Sequence, residues 1–209
     1  MKYAGIIVLF CVCATVARGQ DIDAILHVAD SLSAQPDKAL EIIIKAMAEH
    51  PDSEELLKVR ADAYENLKQY DKAVNDYMRL IEIEPDEEIY WYSLGRNQHK
   101  NGQLTDAMKS LHHATKLNPK YLAAFHTKIQ ILLDSHQYDA AQKVCDSTLN
   151  IAETARTLFL QGEVYSKLKE WQKAGWAYQR ATKVDKGYLE AYIALANIEA
   201  ITNKARETL

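Results

Sequence analysis

The sequence predicts an all-α chain of antiparallel helix pairs stacked in a fixed register, and three observations carry that expectation. Ala39, Ala73, Ala107 and Ala141 follow one another at steps of 34 residues, and Ala174 comes 33 later. Pro51, Pro85 and Pro119 keep the same step of 34. Only seven Gly and four Pro occur in 209 residues, as suits a mostly helical chain. Unconnected amphipathic helices keep a period of about 3.6 residues but hold no register over a longer distance, so a repeating tertiary unit is required.

Taken in order, residues 1–19 read as a leader. Lys2 supplies a positive start, the stretch from Ala4 to Ala17 is nearly all apolar, and Ala17 and Gly19 stand at the spacing of a small-residue cleavage site. The apolar run is shorter than the roughly 20 residues of a spanning helix, so a cleaved secretory signal peptide is expected, leaving Gln20 first. Phe10 and Val12, ahead of Cys11 and Cys13, do not suit a lipoprotein anchor. Cleavage removes both of those cysteines. Cys145 is then alone and is expected to pack as a small buried hydrophobe, not to act as a reactive thiol.

The first repeat unit is expected over 20–53, with Ile22, Ile25, Leu26 and Ala29 on one helical stripe and Pro36 in the first turn of the second helix. The second, 54–87, has Leu57, Ala61, Tyr64, Tyr70, Ala73, Tyr77 and Pro85. The third, 88–121, is the stretch around which the pattern is clearest. Trp91, Leu94 and Gly95 open it, Gly102 marks a tight turn, Ala107, Leu111 and Ala114 follow at helical spacing, and Pro119 closes it. Trp91, Leu94, Leu104 and Leu111 are expected to fill the seam around Gly95 and Ala107. The fourth unit, 122–154, departs most: Ile129 takes the small slot, Cys145 the aromatic slot, and the proline is missing. The fifth, 155–188, restores the pattern with Leu158, Gly162, Tyr165, Trp171, Ala174 and Tyr178. Residues 189–209 open a further first helix, as a cap or an incomplete sixth unit. Its Ile193, Ile198 and Ile201 suggest a partner, or self-association, at this C-terminal edge.

The stretch 88–121 resembles the tetratricopeptide repeat, whose pattern is W-x2-L-G-x2-Y, then A-x3-F, then P. Gln98 replaces the tyrosine and Leu111 the phenylalanine. The same slots recur along the chain after its first twenty residues. The resemblance implies a right-handed superhelical solenoid whose first helices line a concave groove. The groove-facing positions it implies are Glu55, Lys58, Asp62 and Glu65 in the second unit and Ile89, Tyr92, Arg96, His99 and Lys100 in the third. In the fourth and fifth they are Ala123, His126, Gln130 and Leu133, then Arg156, Phe159, Glu163 and Lys167. Of these, Lys58, Tyr92, Arg96, His99, Lys100, His126, Gln130, Arg156 and Phe159 are the candidate partner-binding residues. The carboxylate clamp of chaperone-tail binders is missing, because Lys58 is followed by Asp62, Ser93, Ala123 and Thr127.

Composition bears on function class. The net charge of −4 becomes −6 once Lys2 and Arg18 leave, with 23 basic against 29 acidic residues, which disfavours nucleic acid and anionic membranes as partners. No H-x3-H, H-E-x2-H, C-x2-C, G-x-S-x-G or phosphate-binding glycine motif occurs in the sequence. No catalytic residue, metal or cofactor is therefore expected. The expected function is that of an exported scaffold in the bacterial cell envelope that binds a segment of another protein. The alternatives are the interaction arm of a larger enzyme or envelope machine, and a self-associating structural component.

Overall fold

The computed structural model describes residues 22–32 and 35–207, with the side chains of the last helix described through Asn203. The leader expected over 1–19 lies outside these residues. Among the described residues there are eleven helices and no strand: α1 (Ile22–Ser31), α2 (Pro36–Met47), α3 (Glu54–Asn66), α4 (Tyr70–Ile83), α5 (Glu88–Lys100), α6 (Leu104–Leu117), α7 (Leu122–Asp134), α8 (Tyr138–Ile151), α9 (Ala155–Lys167), α10 (Trp171–Val184) and α11 (Leu189–Glu207). The fold is an all-α helical repeat. No helix among the described residues is long and apolar enough to cross a membrane. The chain divides between Ser110 and Leu111, within α6, into two compact units.

Small residues set the helix spacing. Ala73, Ala107, Ala141 and Ala174 are fully buried and Ala39 nearly so, and in a close-packed interior a larger side chain at such a slot has to displace its neighbours. On the first helices, Ala61 in α3 and Gly162 in α9 are buried in the same way. A methyl group at Gly162 would lie 2.5 Å from Cδ1 and 2.8 Å from Cζ of Tyr178, so the tyrosine ring of α10 lies directly on the α9 backbone. The fourth pair solves the same space with the sizes reversed. Ile129 and Cys145, at the slots occupied by Gly162 and Tyr178 in the fifth, are both fully buried. Burial also raises the Cys145 thiol to about 12, with Asp146 and Glu163 adding to the effect, so it stays protonated and unreactive at neutral pH.

Four helix–helix turns close identically. Lys68, Gly102, His136 and Lys169 have positive φ, between 57° and 79°, each two residues before the next helix begins. In each turn the following residue's N–H reaches back to a carbonyl of the preceding helix: Gln69 to Tyr64 O and Gln103 to Gln98 O, then Gln137 to Leu132 O and Glu170 to Tyr165 O, at 2.8–2.9 Å. This is a Schellman closure, which normally calls for glycine. Only Gly102 provides one.

In the first unit, Ile43, Leu56, Leu57 and Leu80 are fully buried with Tyr77 and Leu94 around them. Two polar links cross this core. Arg60 of α3 holds Asp76 of α4 by both carboxylate oxygens, at 2.8 and 2.5 Å. Tyr77 donates to Asp62 at 2.7 Å. The expected seam is corrected at Leu104, which is 38% exposed as the first residue of α6. Trp91 is half-buried, packing on the core while its indole N–H donates to Pro85 O at 2.8 Å. In the second unit, Leu158, Ala181 and Ala191 form one apolar cluster, and Ala174, Tyr178 and Ile198 form another that ties α11 to α10.

Candidate functional site

In the compact unit that ends at Ser110, the structure brings the candidates of the third repeat onto a carboxylate of the second. Glu65 of α3 accepts from Arg96 Nη2 at 2.6 Å, from Lys100 Nζ at 2.9 Å and from Asn97 Nδ2 at 3.1 Å. Arg96, Asn97 and Lys100 occupy one face of α5 because they are one turn apart or adjacent to that turn. Asn97 is fully buried, and its amide also donates to Ser93 O at 2.9 Å. Burial opposes ionisation of Glu65, but the donors Lys100 and Asn97 and the charge of Arg96 outweigh it and hold the carboxyl below its usual range. The Arg96 guanidinium lies 5.4 Å from the centre of the Tyr92 ring, and Lys100 Nζ lies 5.4 Å from that of Tyr70. Glu65 on α3 and the cations Arg96 and Lys100 on α5 therefore form an internally compensated cluster. Lys58 is exposed on α3 and His99 is half-buried on α5.

In the second unit, α7 and α9 lie side by side, and α11 follows. Arg156 is exposed on α9. Its guanidinium stands 5.7 Å from the Phe159 ring centre, and its Nη1 donates to the Tyr188 hydroxyl at 3.1 Å. Phe159 is half-buried between two tyrosines, 5.6 Å from Tyr178 and edge-on to Tyr188 at 5.4 Å. Four candidates thus collect here, with Gln130 and His126 on α7. Gln130 donates to Asp134 at 3.0 Å. His126 Nε2 lies 2.9 Å from Thr157 Oγ1, and burial, together with the Arg156 charge, depresses its pKa to about 4. It is a neutral hydrogen-bonding group at pH 7, not a cation. Burial raises Glu163, an effect that Arg156 and Lys167 oppose and Asp134 reinforces.

Sequence reasoning missed two contributors. Asn97 reads as an ordinary helix residue until its cross-helix bond to Glu65 is seen. Thr157, with Thr154, forms a hydroxyl chain under His126: Thr154 caps α9 by accepting from Thr157 N at 3.1 Å, and the two hydroxyls lie 2.9 Å apart. The signal for it was available, since Thr154 precedes an apolar-periodic helix as a capping residue should. Among the described residues, no group of three or more His, Cys, Asp or Glu side chains is arranged to hold a metal ion.

Comparison with known proteins follows the repeat. Two tetratricopeptide-repeat family models match, one over residues 32–96 and one over 89–121. Residues 32–121 carry tetratricopeptide repeats. The same helical architecture extends to the rest of the described chain, as solved tetratricopeptide-repeat structures show at the level of fold. A thermophilic tetratricopeptide-repeat protein of Thermus thermophilus, TTC0263, is 19% identical with a TM-score of 0.65, covering 85% of this chain and 98% of its own. MamA is 17% identical with a TM-score of 0.68, covering 78% and 91%. YrrB, described as having an unusual peptide-binding site, is 18% identical with a TM-score of 0.64, covering 87% and 95%. No curated protein matches the chain.

Proposed function

We propose that this chain is a non-enzymatic interaction scaffold, exported to the bacterial cell envelope or beyond it, that holds a segment of a partner protein on the faces of its first helices. The observation that carries the reading is the α9 surface. Arg156 is exposed, packed on Phe159 and steadied by Tyr188, with the Glu163 carboxyl close enough to feel its charge. An arginine on an aromatic ring is a common anchor at protein interfaces, and the pre-ordered stack lowers the entropy lost on binding. The repeats, and the fold shared with a protein described as peptide-binding, support the same reading. In the second and third repeats, Lys58, Tyr92, His99 and the Glu65-held pair Arg96 and Lys100 serve as a secondary contact.

The test is capture from an envelope extract by the immobilised protein, quantified by mass spectrometry, followed by affinity measurement with the recovered segment. Replacing Arg156 and Phe159 together with Ala is expected to weaken binding at least tenfold, the effect of losing a contact worth about 1.4 kcal/mol. Replacing Tyr92 and Arg96 is expected to weaken it less. Equal recovery by the Arg156/Phe159 variant rejects the surface. Export rests on the leader pattern. It is checked by the mass of the protein recovered from the periplasm or medium, which should begin at Gln20.

A further inference from the structure

Helix α11 is apolar on two opposite sides. Ala191 and Ile198 are buried against α10 and its neighbours, with Leu195 half-buried beside them. About half a turn away, Leu189, Ile193, Ala196 and Ala200 fall within about 60° of one another at 3.6 residues per turn. All four are exposed, Leu189 at 67% and Ile193 at 59%. Apolar side chains clustered on the exposed side of a helix, opposite its packed side, mark a contact surface. Ala196 also stands at the slot where Ala61 and Gly162 are buried under a second helix, so this face has the shape that receives one.

We infer that two copies of the chain pair through this face, α11 against α11, antiparallel about a two-fold axis. The spacing of large and small residues commits the reading to a second copy. An antiparallel two-fold that sets Ile193 over Ala196 also sets Leu189 over Ala200, because the two pairs share one midpoint. Every large side chain then meets a small one, and the pattern fits itself, as an isologous interface must. Opposed large and small residues let the helices approach to the roughly 8 Å typical of close packing. Four side chains per partner make a smaller contact than a standard interface of about 800 Å² per partner, so a weak dimer is expected. Neither Arg156 nor Phe159 takes part, so this pairing and the partner-binding reading fail independently.

Sedimentation velocity of the purified protein from about 1 to about 300 μM tests it, the range being set to bracket a micromolar constant. Wild type is expected to pass from monomer to dimer. Ala196→Leu fills the space facing Ile193 and is expected to weaken dimerisation at least tenfold without unfolding the chain, since both side chains are exposed. Ile193→Ala combined with Ala196→Leu exchanges the sizes across the same contact and is expected to restore the dimer. A chain that stays monomeric throughout, whatever other helix then covers α11, overturns the proposal. So does a dimer indifferent to Ala196→Leu, or a double variant that behaves no better than Ala196→Leu alone.

Discussion

Gly162 tests the packing argument where it is tightest. The Tyr178 ring lies against its α carbon, with Cδ1 2.5 Å from where a Cβ would stand. Gly162→Ala must push the ring, and Tyr178 has little room to yield: its hydroxyl is 3.2 Å from Ser166 Oγ and its ring is flanked by Phe159. Overpacking of this kind costs about 1–3 kcal/mol. With a urea slope of about 2 kcal/mol/M, the unfolding midpoint falls by roughly 0.5–1.5 M. The fourth pair suggests the rescue, because Ile129 and Cys145 fill the same slots with the sizes reversed. Gly162→Ile alone should be severe, and Tyr178→Cys alone should cost about 3 kcal/mol or more as a cavity. Together they should cost less than their sum by at least about 1 kcal/mol in a double-mutant cycle. Additive losses, or a neutral Gly162→Ala, would refute the idea that this crossing is set by steric exclusion.

Three further outcomes follow. Lys68→Gly, His136→Gly and Lys169→Gly each relieve a left-handed residue in a Schellman turn and should raise stability by about 0.5–1 kcal/mol, whereas Gly102→Ala should lower it by about 1 kcal/mol; urea midpoints decide. Asp76→Ala leaves the Arg60 guanidinium without its bidentate partner in a largely buried position, and chemical denaturation should show a loss of about 3–5 kcal/mol. His126 has a folded-state pKa of about 4 against an ordinary 6.5, so the unfolded chain takes up its proton first. Its contribution to stability is complete above about 6.5 and is lost as pH falls toward 4, the direction required when the unfolded state binds more protons. Glu163, raised by burial, has the opposite slope, so the difference between wild type and His126→Gln isolates the histidine. A difference that does not change with pH over that window refutes the assignment.

The alanine slots were legible in sequence as a recurring demand for a small residue, the hairpin turn at Gly102 because glycine takes positive φ without strain, and the burial of Cys145 from its place in the repeat period. The left-handed turns at Lys68, His136 and Lys169 were not, since nothing in a lysine or histidine announces positive φ; only their alignment with Gly102 does. Leu104 was assigned to the seam from its apolar character, but the burial complete at Ala107 and Leu111 does not reach the first residue of α6. The recognition surface was legible as a set of positions and not as a charge pattern. Glu65 lies about a repeat away from Arg96 and Lys100, and whether they bond depends on the offset between helix pairs, which no periodicity encodes.

The central claim is that a fixed small-residue slot on each second helix sets how the pairs pack. Leucine at Ala73, Ala141 and Ala174, compared with leucine at the exposed neighbours Asn75, Lys143 and Gln172, tests it most directly by urea midpoint. Each slot substitution should cost about 1–3 kcal/mol, and each neighbour should stay within about 0.5 kcal/mol of wild type. Slots that tolerate leucine as readily as their exposed neighbours would contradict the account.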